Sequence, residues 1–187
     1  MASGMSLFVI GIDPGSERSA VARFIVSLNS ESPCRYSLDS MSMFDNGDYM
    51  DIISRIGIGD TRYQFVIERP RTFQATLPQS SQLHWVAGRF FGAVETRIGL
   101  SRVVGVYENS VRAWLCPTKD RPYSGKLSKS NVKLRVKLTD DDRIKAVVRE
   151  LGRDPFTGKP ADDNHLADAC AAALWWIISG RHKNGTQ

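Results

Sequence analysis

The sequence predicts an α/β protein built on a five-stranded mixed sheet covered by helices. Three observations carry this. β-type runs follow one another without interruption from residue 6 to residue 44; beyond them β-type and helical runs alternate; and the helical runs keep their apolar residues on one face. With 187 residues and a 42% apolar fraction, the chain is long enough for one proper core.

In order along the chain, residues 6–12 form a short apolar run stopped by Pro14-Gly15, the pattern of a buried strand ending in a turn. "SAVARFIVS" at 19–27 and "RYSLDSMSMF" at 35–44 continue as the second and third strands of an antiparallel meander. "DYMDIISRI" at 48–56 spaces Met50, Ile53 and Ile56 as in a short helix, and "QFVIERP" at 64–70 is a compact strand stopped by Pro70. The run 79–98 places Leu83, Val86, Phe90, Val94 and Ile98 on one helical face, with Gly88 and Gly92 spaced for close approach to a neighbouring backbone. "RVVGVYE" at 102–108 is the fifth strand. A helix over 140–152 has Asp at its cap, Ile144, Val147, Val148 and Leu151 on one face, and Gly152 as its stop. A last helix runs from near Asp163 to about Ser179.

Twenty-five Lys and Arg against 20 Asp and Glu leave a net charge of +5, which suits an anionic partner without requiring one. The three cysteines, Cys34, Cys116 and Cys170, are odd in number and lack a CxxC spacing, which argues against a disulfide framework and a zinc site and for a reducing, cytoplasmic compartment. Neither "LFVIGI" nor "LADACAAALWWIIS" has the flanks or length of a signal peptide or membrane span. Residues 1–5 read as a leader or tag, 6–180 as a single domain and 181–187 as a tail.

Acids stand where such a sheet would gather them. Asp13 closes the first strand and Glu68 the fourth, and parallel strands of one sheet end at one edge. The last helix opens with "DDNHLADA", in which His165 and Asp168 lie three apart on one face. Two carboxylates about 4 Å apart repel by roughly 4 kcal/mol at an effective dielectric of 20, so converging acids call for protons or a hard cation, Mg²⁺ or Mn²⁺. Taken singly, each acid has an ordinary explanation: Asp13 as a turn acceptor, Glu68 as a strand-end charge, Asp168 as a favourable charge near a helix N-terminus. Asp162 and Asp163 are explained as helix caps and are alternatives to His165 as a fourth ligand.

The set "GIDPG", "VIERP" and "HLADACAAAL", in this order, resembles the RuvC family of Holliday-junction resolvases, which have the ribonuclease-H-like fold, over residues Phe8 to Ile178. "GIDPG" alone also resembles the phosphate loops of sugar kinases and YqgF-type nucleases, and the combination is what discriminates. The resemblance implies a catalytic and metal-ligand set of Asp13, Glu68, His165 and Asp168, with His165 standing where many members have Asp. It implies two Mg²⁺ ions per active site about 4 Å apart, with Mn²⁺ as substitute, and hydrolysis to 5′-phosphate and 3′-hydroxyl ends. An imidazole ligand suits Mn²⁺ better than Mg²⁺. Arg112 falls roughly where the family has a lysine near the phosphate, with a role in charge stabilisation.

Beyond Trp114 the chain departs from the family. Residues 119–137 carry seven Lys or Arg and one acid, in a basic insertion spanning about 115–138. Lys119, Arg121, Lys126, Lys129, Lys133, Arg135 and Lys137 are its candidate DNA contacts; a solvated loop is the alternative. Arg69 and Arg71 flank Pro70, and Phe73 matches the loop of relatives whose aromatic residues wedge into the junction, although a core role suits it too. The resemblance further implies a C2 homodimer, through the helix 79–98 with Trp85, Phe90 and Phe91 as contacts or as core. No membrane partner is expected. The expected function is resolution of four-way DNA junctions by paired symmetric nicks, in a bacterial cell or a phage-infected host. A flap or Y-fork nuclease of the same fold, and a non-catalytic junction-binding module, are the competing readings.

Overall fold

The computed structural model describes residues 6–27, 35–56, 62–70, 78–99, 102–107, 110–111 and 160–178. Within them five strands, β1 (Ser6–Asp13), β2 (Arg18–Ser27), β3 (Arg35–Asp45), β4 (Arg62–Arg69) and β5 (Val103–Tyr107), form one sheet in the order β3-β2-β1-β4-β5. β2 pairs antiparallel with both β1 and β3, whereas β4 runs parallel to β1 and β5 parallel to β4. Three helices accompany it: α1 (Tyr49–Arg55), α2 (Pro78–Ile98) and α3 (Pro160–Ile178). The expected five-stranded mixed sheet is therefore present. The helix expected over 140–152, and the basic segment 115–138, lie outside the described residues.

The pleat sorts each central strand onto two cores. On β1, Leu7 and Val9 face one way and Ile10 and Ile12 the other; on β4, Val66 opposes Phe65 and Ile67. The first face packs on α3 and the second on α1 and α2, so both faces are covered and the strand sequences read as continuous apolar runs. β3 breaks the alternation. Its register with β2 shifts at Arg23/Phe24, a bulge that lets Leu38 and Met41, three apart, join the same core. Asp39 in that bulge takes the Arg23 guanidinium, which also donates to the carbonyl of Ile56 at the end of α1.

Asp48 caps α1 by accepting from the amides of Met50 and Asp51 at 2.9 and 3.1 Å. The helix is there as expected, but it buries Tyr49, Ile52, Ile53 and Ile56, while Met50 is exposed. With only about two turns to place, the large Tyr49 ring outcompetes Met50 for the core and packs edge-on against Phe90. On α2, Val86, Phe90 and Val94 are fully buried as the periodicity predicts. Among the described residues Gly88 and Gly92 serve no close approach: both are exposed, and a Cβ at either would meet nothing within 4 Å.

The close approach is elsewhere. A Cβ at Gly11 of β1 would lie 2.0 Å from the carbonyl oxygen of Ala169 and 3.0 Å from the amide of Ala173. The glycine and the "DACAAA" run thus bring the backbone of α3 directly onto the sheet. α3 starts at Pro160, three residues before the expected Asp163, because proline is well accommodated in a first helical turn. From Leu166 to Ile177 every residue is buried, Cys170 included, and burial pushes its thiol up to about 12. Among the described residues no helix is long and apolar enough to cross a membrane.

Replacing Gly11 by Ala should destabilise the protein by about 2–3 kcal/mol in urea denaturation, since backbone on α3 must shift, whereas Gly47→Ala, with open space around it, should cost little. In a variant with Cys34 and Cys116 replaced by serine, the Cys170 thiol should resist a disulfide reagent in native buffer and react fully once denaturant is added.

Candidate active site

The pleat decides which acids meet. Asp13 shares the parity of Leu7 and Val9, and Glu68 that of Val66, so both project to the face covered by α3. The parallel register pairs Ile12 with Ile67, which puts Asp13 and Glu68 at neighbouring positions where the two strands end. The α3 contact at Gly11 then fixes the height of His165 and Asp168, one turn apart, over that edge.

Asp13 is only 5% exposed, and its partner among the described residues is His165, whose Nδ1 stands 2.5 Å from Oδ2. With the carboxylate ionised, a neutral ring donates from Nδ1 and keeps its lone pair on Nε2. Asp168 is 4% exposed, next to the Ala169 carbonyl that packs on Gly11, and Glu68 is half-buried. Asp13 and His165 are thus in direct contact, with Glu68 and Asp168 on adjoining elements. Among the described residues no three His, Cys, Asp or Glu side chains converge on one point as a ready-made cation site. The chemistry of the donor set nevertheless fits a divalent metal: buried Asp13 answers to an imidazole, and three carboxylates with a nitrogen donor suit Mg²⁺ or, better, Mn²⁺.

The turn after Asp13 is held from several directions. Asn46, just past β3, donates from Nδ2 to the Gly15 carbonyl at 2.8 Å, donates its backbone amide to the Glu17 carbonyl at 2.8 Å, and accepts from the fully buried Ser19 hydroxyl at 2.6 Å. Gln82 of α2 donates to the Ser16 carbonyl. Arg18 bridges Asp45, at 3.1 Å, and Asp162 on the first turn of α3, at 3.0 Å. Asp162 is therefore an ion-pair partner within the helix rather than its cap. Gly15 itself has no room for a side chain: a Cβ there would lie 2.1 Å from the Arg18 carbonyl and 3.5 Å from Cε1 of His165. Sequence reasoning missed Arg18, Asn46 and Gln82 because each acts on residues distant in the chain. The Asn46-Gly47 pair was the one local cue, and it reads as an ordinary turn.

Of the other expected contacts, Arg69 is exposed beside Glu68. Phe90 is fully buried and belongs to the core, which removes it from any subunit contact, while Trp85 is 59% exposed and Phe91 partly buried. Arg71, Phe73, Arg112, Lys119, Arg121, Lys126, Lys129, Lys133, Arg135 and Lys137 lie outside the described residues, as does the side chain of Asp163.

Because the Asn46 side chain satisfies the buried Ser19 hydroxyl and the Gly15 carbonyl at once, Asn46→Ala should cost about 1–3 kcal/mol of stability, and hydrogen exchange should quicken at Gly15–Ser19 more than in β4.

No protein-family model and no curated protein matches the sequence. Solved structures do. RuvC of Thermus thermophilus superposes with a TM-score of 0.56 at 17% identity, over 96% of this chain and 97% of that one. The same protein in complex with a Holliday junction substrate gives 0.56 at 16% identity, with the same coverage of both chains. Ydc2, the yeast mitochondrial Holliday junction resolvase, gives 0.55 at 14% identity over 90% of this chain and 77% of that one. The five-stranded mixed sheet with its flanking helices is thus the ribonuclease-H-like fold these resolvases share.

Proposed function

We propose that this chain is a metal-dependent, structure-selective endodeoxyribonuclease that resolves four-way DNA junctions by paired symmetric nicks, leaving 5′-phosphate and 3′-hydroxyl ends. The observation that carries this reading is the buried Asp13–His165 contact at the strand edge that also carries Glu68, in a chain with the fold of junction resolvases. Asp13, Glu68, His165 and Asp168 would hold the cation. Once bound, it supplies charge stabilisation at the phosphate and a water made nucleophilic near neutral pH.

The chain's own groups supply the rest. His165 fixes the Asp13 carboxylate through Nδ1, so that one oxygen keeps a defined orientation. The Pro14-Gly15 turn, tied down by Asn46 and Gln82, carries no side chain at Gly15 and leaves that approach to the site open for a phosphate. The net charge of +5 favours a polyanion, and the basic stretch 115–138 is the natural place for further phosphate contacts.

A junction has two equivalent scissile strands, so the working unit is a C2 homodimer. The outer face of α2, with exposed Trp85 and the bare Gly92, is the surface that suits it. The buried thiol of Cys170 and the absence of any paired cysteine spacing suit a reducing compartment, in keeping with action in the cytoplasm of a bacterial cell or phage-infected host.

The test is cleavage of an end-labelled four-way junction, a Y-fork, a flap and a linear duplex with Mg²⁺ or Mn²⁺. Paired symmetric nicks confined to the four-way junction are expected. Asp13→Asn should reduce cutting by at least ~100-fold while junction binding persists. Equal cutting of forks and flaps would make the protein a general branched-DNA nuclease, and tight binding without cutting in either metal would make it a junction-binding module. Chelation should abolish cutting, with Mn²⁺ restoring it at lower concentration than Mg²⁺ because His165 brings nitrogen to the ligand set.

A further inference from the structure

Across the sheet from the acids lies a groove that the catalytic reading does not use. Strand parity sends Arg69, one residue after Glu68, to the opposite face, toward α2. There Arg69, Pro70, His84, Ala87, Gly88, Phe91 and Tyr107 line a cavity of about 340 Å³, within the size range of small-ligand sites. Its wall is mainly apolar and aromatic, and Tyr107 is 47% exposed.

The charge at its rim is built in rather than incidental. The Arg69 guanidinium lies 4.9 Å from the centre of the Phe91 ring. It also occupies the space above Gly105 of β5, where a Cβ would lie 1.9 Å from Arg69 Nε and 2.6 Å from Cζ. Among the described residues no carboxylate pairs with it. A guanidinium lodged between a ring and a bare glycine is placed to donate to an external anion; its fork matches carboxylate and phosphate alike, and a DNA strand supplies the phosphate. An aromatic wall beside a fixed phosphate receptor, at the strand end that carries Glu68, is the composition of a site for an unstacked nucleotide.

We infer that this groove, with Arg69 on the phosphate and Tyr107 against the base, holds an unpaired nucleotide next to the scissile phosphate of the DNA strand. The inference rests on the proposed nuclease function and sharpens its substrate class: DNA with a base available outside the duplex stack is preferred over continuous duplex. The scissile phosphate lies on the α3 face of the sheet edge and the neighbouring nucleotide on the α2 face, so the strand passes over the end of β4 between Glu68 and Arg69.

The experiment uses the full chain and four-way junctions carrying 2-aminopurine at successive positions around the crossover, with Ca²⁺ in place of a catalytic metal. One position should brighten on binding as its base leaves the stack. Tyr107→Ala should remove that signal and weaken junction binding about tenfold, the measured worth of one stacked base, while leaving linear duplex binding unchanged. Gly105→Ala should act likewise, because its methyl displaces the Arg69 guanidinium without changing net charge. Circular dichroism and retained protection of the Cys170 thiol verify that each variant is folded. Unchanged signal and affinity in both folded variants overturn the inference, even if junction cutting is intact. A change in sedimentation of the DNA-free protein instead assigns the groove to a contact between copies and equally overturns it. A wild-type chain that neither binds nor cuts any DNA overturns the proposed function itself.

Discussion

Much of the architecture hangs on one contact, the seating of α3 on β1 at Gly11. The helix backbone comes so near the strand that the Ala169 carbonyl occupies the place of a side chain. Such proximity is possible only where both surfaces are small, and the sequence supplies glycine on one side and an alanine run on the other. Its consequences reach in two directions. Toward the C-terminus of α3, it draws Leu174, Trp175, Trp176 and Ile177 into the core with Phe24, Val26, Tyr36 and Leu38. Toward the N-terminus, it fixes His165 and Asp168 at the level of Asp13. Stability and the candidate site therefore share one geometric constraint. A helix held further off by a single methyl group on the strand would lose packing and lift its histidine from the carboxylate.

The second constraint is the pleat of the sheet, which separates two kinds of chemistry at one edge. Asp13 and Glu68 project toward α3, and Arg69 projects toward α2. Acids and guanidinium are neighbours in the sequence and stand on opposite faces in space. The alternation keeps the acids and the guanidinium on opposite faces, divided by the thickness of a strand.

The polar groups around the Pro14–Glu17 turn supply what packing cannot. Asn46, from the end of β3, and Gln82, from α2, bond to the backbone of Gly15, Ser16 and Glu17, and the Arg18 side chain, one residue further on, ties Asp45 to Asp162 of α3. Each interaction is modest by itself, and those of Arg18 are largely exposed to solvent. Together they hold a turn that must be rigid without being bulky, because the His165 ring fills the space beside Gly15. A loop of larger residues would have gained its rigidity by packing and closed the approach to Asp13.

The order of the described strands and helices, the mixed sheet and the placing of Asp13, Glu68 and Asp168 on two strand ends and the last helix were legible from the chain itself, because they rest on local signals. These are period-two and period-3.6 apolar spacing, the Pro-Gly stop after Asp13, and the three-residue step from His165 to Asp168. Even the β3 bulge leaves a trace, the phase shift between Tyr36-Leu38 and Met41-Met43. Local signals also misled. Gly88 and Gly92 have the spacing of a close-contact face, yet among the described residues it is Gly11, unremarked inside an apolar run, that meets the α3 backbone. Tyr49 displaced Met50 from the core. Only the tertiary structure decided that Asp13 meets His165, that Asn46 and Arg18 hold the turn, and that Arg69 stacks on Phe91 above Gly105. The physical reason is common to all of these. A short-range pattern records which face of its own element a residue occupies, whereas its partner depends on the register and depth at which two distant elements dock, and those are set by packing of both elements at once.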